Sequence, residues 1–388
     1  MNDAVIVDVV RTASGKGKPG GALSAVHPVD LLATVLQALV ERNGLDPVLV
    51  DDVIGGCVSQ TDEQALNITR TALLAAGFPE SVPATTIDRQ CGSSQQAAHF
   101  AAQGVLAGAY DIAIACGVES MSRVPMFSNA RDADTCGTRL VRRYLDGLIP
   151  QGLSAELICT RGKFDREELD AFAARSHQRA AATAASGGFD AEIVPVGEHT
   201  TDETVRPGTT VEGLAGLKPA FTAVPAAERF PEIGWRITPG NSSPLTDGAS
   251  AALIMSSATA RRLSLTPRAR FHSFAVTGSD PLLMLTGVIP ATQKLLTRSG
   301  LTIDDVDAYE VNEAFAPVPL VWQREMGADP DRLNPRGGAI ALGHPLGASG
   351  TRLLATLVSH LEATGGRYGL QTMCEGGGMA NATLIERL

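Results

Sequence analysis

Short apolar runs alternate with longer amphipathic stretches over the first 120 residues, and the same alternation returns after Leu245. Ala4–Val10, Asp52–Val58, Ala84–Asp88 and Ile112–Gly117 read as strands, and Pro28–Arg42, Asn67–Ala76 and Gly92–Ala107 as helices. Switching between a period of two and a period of 3.6 in this order predicts an α/β fold. In the second stretch, Ala251–Met255, Ala269–Val276, Ala308–Asn312, Gly369–Cys374 and Ala382–Arg387 read as strands, with Pro290–Ser299 and Ser349–Ala363 as helices. Between Ser120 and Asn241 the alternation stops. Helical patches such as Arg166–Ala185 sit there among charged, Pro/Gly-containing loops, as expected of an inserted cap. The reading divides the chain into 1–119 (first half, first part), 120–241 (cap), 242–266 (first half, last part) and 267–388 (second half).

With 40 glycines and only 4% aromatic residues, the core must rest on Ala, Val, Leu and Ile. A net charge of −10 disfavours nucleic acid or an anionic membrane as a bulk partner. No apolar run approaches the ~20 residues that span a bilayer. The opening residues lack a basic region followed by an apolar one, and no Ser-Lys-Leu tripeptide closes the chain. A cytoplasmic protein is therefore expected. Six scattered cysteines without a Cys-x-x-Cys pair suggest neither a metal site nor a disulfide framework.

The two ends repeat one another. Asp51-Asp52-Val53-Ile54-Gly55 and Asp304-Asp305-Val306-Asp307-Ala308 are each an acidic turn entering a strand. Each is followed by a helix, a reactive turn and a second helix. Cys91-Gly92-Ser93-Ser94 in the first half corresponds to the turn from His344 to Gly350 in the second. A duplication would bring two helix N-termini together and place Cys91 and His344 in one pocket.

Four positions carry chemistry. Cys91 stands where a strand gives way to a helix, and the helix dipole there favours the thiolate. His344 lies between glycines and before Pro345, so its ring can project from an extended turn. Cys374 precedes three glycines whose amides suit an oxyanion hole. Asn312 closes a strand, where its amide can hold water or an imidazole, or cap the next helix.

Together the Cys91 segment, Asn312-Glu313-Ala314-Phe315, Gly343-His344-Pro345-Leu346-Gly347 and Cys374 before its glycines resemble the thiolase family, in that family's order and spacing. The resemblance runs from Arg11-Thr12 to the C-terminus. It implies a five-layered αβαβα core of two duplicated halves with an inserted cap, assembled as a homodimer or homotetramer. It implies an acyltransferase that cleaves a 3-oxoacyl-CoA with coenzyme A, or runs the reverse condensation. By position Cys91 would be acylated, His344 would take its proton, and Cys374 would exchange a proton with the acetyl Cα. One oxyanion site would use His344 and a water on Asn312, the other the amides of Cys91 and Gly376. CoA and acyl-CoA are then substrates, with no permanently bound cofactor. Arg206, Ser243 and Leu148 match positions along the CoA, and Arg131, Arg139, Arg142 and Arg143 could meet its ribose phosphate.

Several positions depart from the family pattern. Glu375 replaces an apolar residue, and strand alternation is expected to point it away from the pocket. Pro244 and Thr246 replace small or amide residues after Ser243. No histidine occurs in Leu148-Ile149-Pro150-Gln151-Gly152, where biosynthetic acetoacetyl-CoA members carry one. This tilts the expectation towards degradation of bulkier substrates, and the chain's ending resembles actinobacterial degradative thiolases, including those of steroid breakdown. A decarboxylating ketosynthase of the same superfamily would usually carry a second histidine. A lipid-binding relative without turnover would not need the full set of catalytic positions.

Overall fold

The computed structural model describes residues 3–131, 133–144 and 147–388. Met1 and Asn2, on which the reading of the opening residues partly rests, lie outside these. The first half runs β1 (Val5–Thr12), α1 (Pro28–Asn43), β2 (Asp52–Gly56), α2 (Ile68–Ala75), β3 (Ala84–Ile87), α3 (Ser93–Ala107) and β4 (Ile112–Ser120). The chain then leaves the sheet for a segment carrying α4 (Gly137–Arg143), α5 (Gln151–Gly162) and α6 (Arg166–Ala185), and returns as β5 (Thr246–Met255). The second half holds β6 (Ala269–Gly278), α7 (Val288–Ser299), β7 (Ala308–Val311), α8 (Pro317–Met326), α9 (Ser349–Thr364), β8 (Tyr368–Glu375) and β9 (Met379–Arg387).

The main strand order is β3-β2-β4-β5-β1-β6-β9-β8-β7. Among the described residues its two halves join through Val5↔Arg270 and Ile6↔Ala269. Each half is wound alike. β2 and β4 are parallel, and β4–β5 and β5–β1 antiparallel. Likewise β7 and β8 are parallel, and β8–β9 and β9–β6 antiparallel. The edge strand β3 survives in the second half as one parallel bridge, Tyr309↔Leu333. This repeated topology is the duplication.

Three apolar clusters separate the layers. Strand alternation, shifted by one residue at the irregularity between Ile6 and Asp8, sends Val5, Val7 and Val10 of β1 outward to Leu31 and Leu36 of α1 and Leu73 of α2. Ile6 and Val9 face inward to Ala97 and Ala101 of α3 and to Leu354 and Ala355 of α9. On the far side, Leu295 of α7 and Trp322 of α8 cover Leu370 and Leu384. The result is the five-layered αβαβα core. Its central layer is two helices wide, and small side chains let them meet. A Cβ at Gly350 would lie 2.0 Å from the backbone nitrogen of Gln95, and the Thr351 amide donates to Ser94 Oγ at 3.1 Å.

Two of the helices that escaped the sequence pattern did so for a clear reason. α5 buries Glu156, whose carboxylate accepts the amides of Arg236 and Ile237, so a charge interrupts its apolar period. α8 opens on Pro317 and carries Pro319, residues that fit a first turn but read as a loop. β5 also begins earlier than expected, because Asp247 accepts the Ser122 amide at 2.8 Å rather than forming a turn.

The segment between β4 and β5 is tied to β1 by charge. Buried Arg11 donates from Nε to Glu192 at 2.7 Å and through both terminal nitrogens to Asp202 at 2.8 and 3.0 Å. Arg11→Met would leave both carboxylates without their partner. Urea unfolding should show a loss of about 3–5 kcal/mol.

Candidate active site

After β3 the chain turns sharply into α3. Gln90 takes a left-handed conformation (φ 49°), and the Ser93 hydroxyl clasps the turn by accepting the Arg89 amide (2.9 Å) and donating to the Gln90 carbonyl (2.6 Å). Cys91 is thereby held just before Gly92, the cap of α3. It is only 4% exposed and lines a cavity of about 430 Å³ with Ser59, Gln151, Phe221, Phe315 and Leu346.

Burial pushes the Cys91 thiol up to about 12, reinforced by the charge of Glu375, against a hydrogen bond from Gln151 and its own backbone amide. The expected thiolate is therefore not the resting form. A helix terminus contributes about 0.3–1 kcal/mol, under one pKa unit, whereas burial can shift a group by ~3–5 units.

His344 is buried, and its amide donates to Thr246 Oγ1 at 3.0 Å. Thr246, a departure from the family pattern, thus anchors the histidine turn. The Ser349 hydroxyl donates to the Pro345 carbonyl (2.8 Å), so it must accept from His344 Nδ1–H (2.6 Å). Nε2 is left without a proton, 3.3 Å from Asn312 Nδ2. Burial, aided by the charge of Arg352, lowers the imidazole to about 3, so it is neutral at pH 7. Asn312 does not cap a helix, since α8 begins at Pro317 with Ala316 at its cap position. Its buried Oδ1 has no partner within the protein.

Cys374 lies near the end of β8, and its thiol is raised by burial, then by the charge of Cys91, then by that of Glu375. The two sulfurs therefore sense one another. Gly376, Gly377 and Gly378 form the turn between β8 and β9, and only the latter two need their left-handed conformations (φ 81° and 79°). Gly376 stands elsewhere in function: a Cβ there would meet Gln90 Oε1 at 3.0 Å and Gln151 Nε2 at 3.3 Å, both from cavity-lining residues.

Alternation turns Glu375 to the face opposite Cys374 and it does not line the cavity, but that face lies under α3. A Cβ at Gly92 would fall 2.1 Å from Glu375 Oε1, so the carboxyl abuts the nucleophile turn.

The expected CoA residues are more dispersed. Ser243 donates from its amide and hydroxyl to the Ala314 carbonyl (3.0 and 3.2 Å), beside cavity-lining Phe315. Leu148 is half-buried and two residues from Pro150, which lines the cavity where Leu148 does not. Arg206 is exposed and outside the cavity wall, its amide donating to His177 Nδ1 at 3.2 Å. Arg139, Arg142 and Arg143 project from α4, just beyond Thr135 of the cavity wall, and Arg131 donates to Thr61 Oγ1 at 3.2 Å.

Two residues went unrecognised in the sequence. Ser349 sets the tautomer of His344, five residues away. Glu119 gathers the amides of Val58 (3.0 Å), Ser59 (3.0 Å) and Gly347 (2.9 Å) and the Gln64 side chain (2.9 Å). It fixes the cavity wall to the turn after His344. A lone acid inside the apolar run of β4 was its only signal.

A thiol, a neutral imidazole with a bare nitrogen, a second thiol and a glycine turn are the equipment of an acyl-transferring cysteine enzyme. The chain matches the model of the thiolase N-terminal domain over residues 4–258 and that of the thiolase C-terminal domain over 265–387. It is 46% identical to a steroid 3-ketoacyl-CoA thiolase, FadA6, of Mycobacterium tuberculosis, covering 100% of this chain and 95% of that one. It is 44% identical to a 3-ketoacyl-CoA thiolase of Aliivibrio salmonicida over 100% of both. The crystal structure of the Bacillus anthracis acetyl-CoA acetyltransferase superposes with a TM-score of 0.89 at 37% identity, covering 100% of this chain and 99% of that one. The chain belongs to the thiolase family, and its activity is CoA-dependent thiolytic cleavage or the reverse condensation.

Ser349→Ala would free the imidazole to place its proton on either nitrogen. Steady-state thiolysis should fall at least about tenfold, with the fold intact by circular dichroism. The wild-type rate should show no inflection near pH 6.5 from His344, because its imidazole stays neutral down to about 3.

Proposed function

We propose that Cys91 carries the acyl group, that His344 Nε2 receives its proton, and that Cys374 exchanges the proton at the acetyl Cα. The observation that carries this reading is the meeting of α3 and α9 at their N-termini, where Thr351 and Ser94 are hydrogen-bonded. That junction sets the turn bearing Cys91 beside the turn bearing His344. A resting thiol and a neutral base suit concerted proton removal. As sulfur attacks the substrate carbonyl, its proton passes to Nε2, and the charges formed stabilise one another.

In cleavage, Cys91 attacks the 3-oxo carbonyl and the C2–C3 bond breaks. The electron pair remains on the acetyl-CoA fragment as an enolate, which takes its proton from Cys374. Coenzyme A then attacks the acyl-Cys91 thioester, its thiol proton passing to the Cys374 thiolate, and the displaced Cys91 sulfur recovers its proton from His344 as the shortened acyl-CoA leaves. His344 with a water on Asn312 Oδ1 faces the enolate oxygen, and the amides of Cys91 and Gly376 face the tetrahedral oxyanion. Each such donor contributes about 3–4 kcal/mol.

Degradation of apolar 3-oxoacyl-CoAs is the preferred direction. Met126, Phe127, Phe221, Phe315 and Leu346 give the cavity an apolar wall, and Gln151 stands where a histidine was not found. A thiolysis screen across chain lengths and ring content should give larger kcat/KM for bulky apolar substrates than for acetoacetyl-CoA. The enzyme acts in the cytoplasm as a homodimer or homotetramer. The outer edge of β3 lacks a strand partner, and Leu66 is 94% exposed, as a subunit contact would require.

Incubation with acetyl-CoA followed by peptide mass spectrometry should place an acetyl group on Cys91. Cys91→Ser should abolish that adduct, while Cys374→Ala should retain it and lose carbon–carbon cleavage. An adduct on another residue overturns the assignment. Replacing Arg139, Arg142 and Arg143 together by Gln should raise KM for coenzyme A about tenfold and leave that for a truncated pantetheine thiol unchanged.

A further inference from the structure

Glu375 is fully buried, and among the described residues neither carboxylate oxygen has a hydrogen-bond partner. Among the described residues no Arg, Lys or His nitrogen lies within 4 Å of it. Of the other buried carboxylates, Glu119 has four donors and Glu156 two backbone amides, whereas Glu310 Oε1 is also unpartnered but lies away from both cysteines. An acid left bare so close to a nucleophile is a costly arrangement for structure alone.

The groups around it can be named. Its own strand contributes Cys374. The turn beneath α3 contributes Asp88, Arg89, Cys91 and Gly92, with Gly92 in direct contact. The neighbouring β9 contributes Met379, opposite Glu375 in the ladder, and Asn381. Asn381 Nδ2 is committed to the Gly92 carbonyl at 3.0 Å, and Arg89 is turned to Met379 Sδ at 3.9 Å. Neither is placed to hold a carboxylate anion.

We propose that Glu375 is a positioning residue that stays protonated during turnover, and that its ionisation opposes formation of the Cys91 thiolate. In its neutral form it adds no charge beside the two sulfurs, which must share one negative charge as the acyl group moves. Once ionised it places an anion against the start of α3 and offsets the helix dipole at the nucleophile. The direction of its shift agrees. Burial, with Asp88 adding and Arg89 opposing, pushes its carboxyl up to about 8, and its charge raises both cysteines. The residue thus sets the alkaline limit of the thiolase reaction, and the inference rests on Cys91 being the nucleophile.

The test reads the sulfur rather than turnover. Alkylation of Cys91 by iodoacetamide is followed by peptide mass spectrometry from about pH 6 to about pH 10, in the full-length protein. The wild-type log rate should rise with pH and flatten where Glu375 ionises, because the new charge withdraws thiolate from Cys91. Glu375→Gln keeps the shape and removes the charge. Its rate should match wild type near pH 6 and exceed it about tenfold near pH 9, the size of one pKa unit. Superimposable profiles overturn the proposal. If the variant does not fold, the wild-type curve decides: a uniform tenfold rise per pH unit across the range overturns the proposal, and a flattening near pH 8 supports it. Acetyl transfer from acetyl-CoA to Cys91, measured alongside, reports separately on the nucleophile assignment.

Discussion

The close approach of α3 and α9 is the contact on which the site depends. It requires Gly350, where a side chain would collide with the backbone of Gln95, and it is locked by the Thr351–Ser94 hydrogen bond. Each helix is preceded by a reactive turn. Joining the helix starts therefore joins a sulfur to an imidazole that lie about 250 positions apart in the chain. Glu119 secures the outer side of the same junction by holding the loop after β2 and the turn after His344 through one buried carboxylate.

Duplication supplies the frame, but the halves have diverged in chemistry. The first contributes Cys91 from a full edge strand. In the second, that strand has shrunk to one bridge at Tyr309, and the equivalent turn presents His344. The second half adds Cys374 and Gly376 from the β8–β9 hairpin, and Asn312 from the end of β7. The segment between β4 and β5 then covers the cavity with Gln151 and Phe221. Such a division lets one fold position thiol, imidazole and amide groups from separate rigid elements.

Inside this dry junction, burial dominates the electrostatics. The dipole of α3 is real, yet it is outweighed, and Cys91 rests as a thiol. The same burial keeps His344 neutral and so able to accept a proton. Its tautomer is set by Ser349, a neighbour one helical turn beyond Pro345. Thiol and imidazole are thus both kept uncharged by exclusion of water.

The alternation of apolar periods and the repeated acidic turns were enough to read an α/β duplication, and the ordered motifs around Cys91, Asn312, His344 and Cys374 were enough to read a thiolase. These are local signals: each depends on a residue and its near neighbours. Glu375 shows where such reading stops. Period-two alternation placed it correctly on the face opposite Cys374, but only packing put the start of α3 against that face. The protonation states of Cys91 and His344, the partners of Glu119 and the split between Gly376 and its neighbouring glycines were likewise decided by the tertiary structure. All depend on which groups lose water and which distant donors reach them, and those are properties of a closed interior rather than of a stretch of chain.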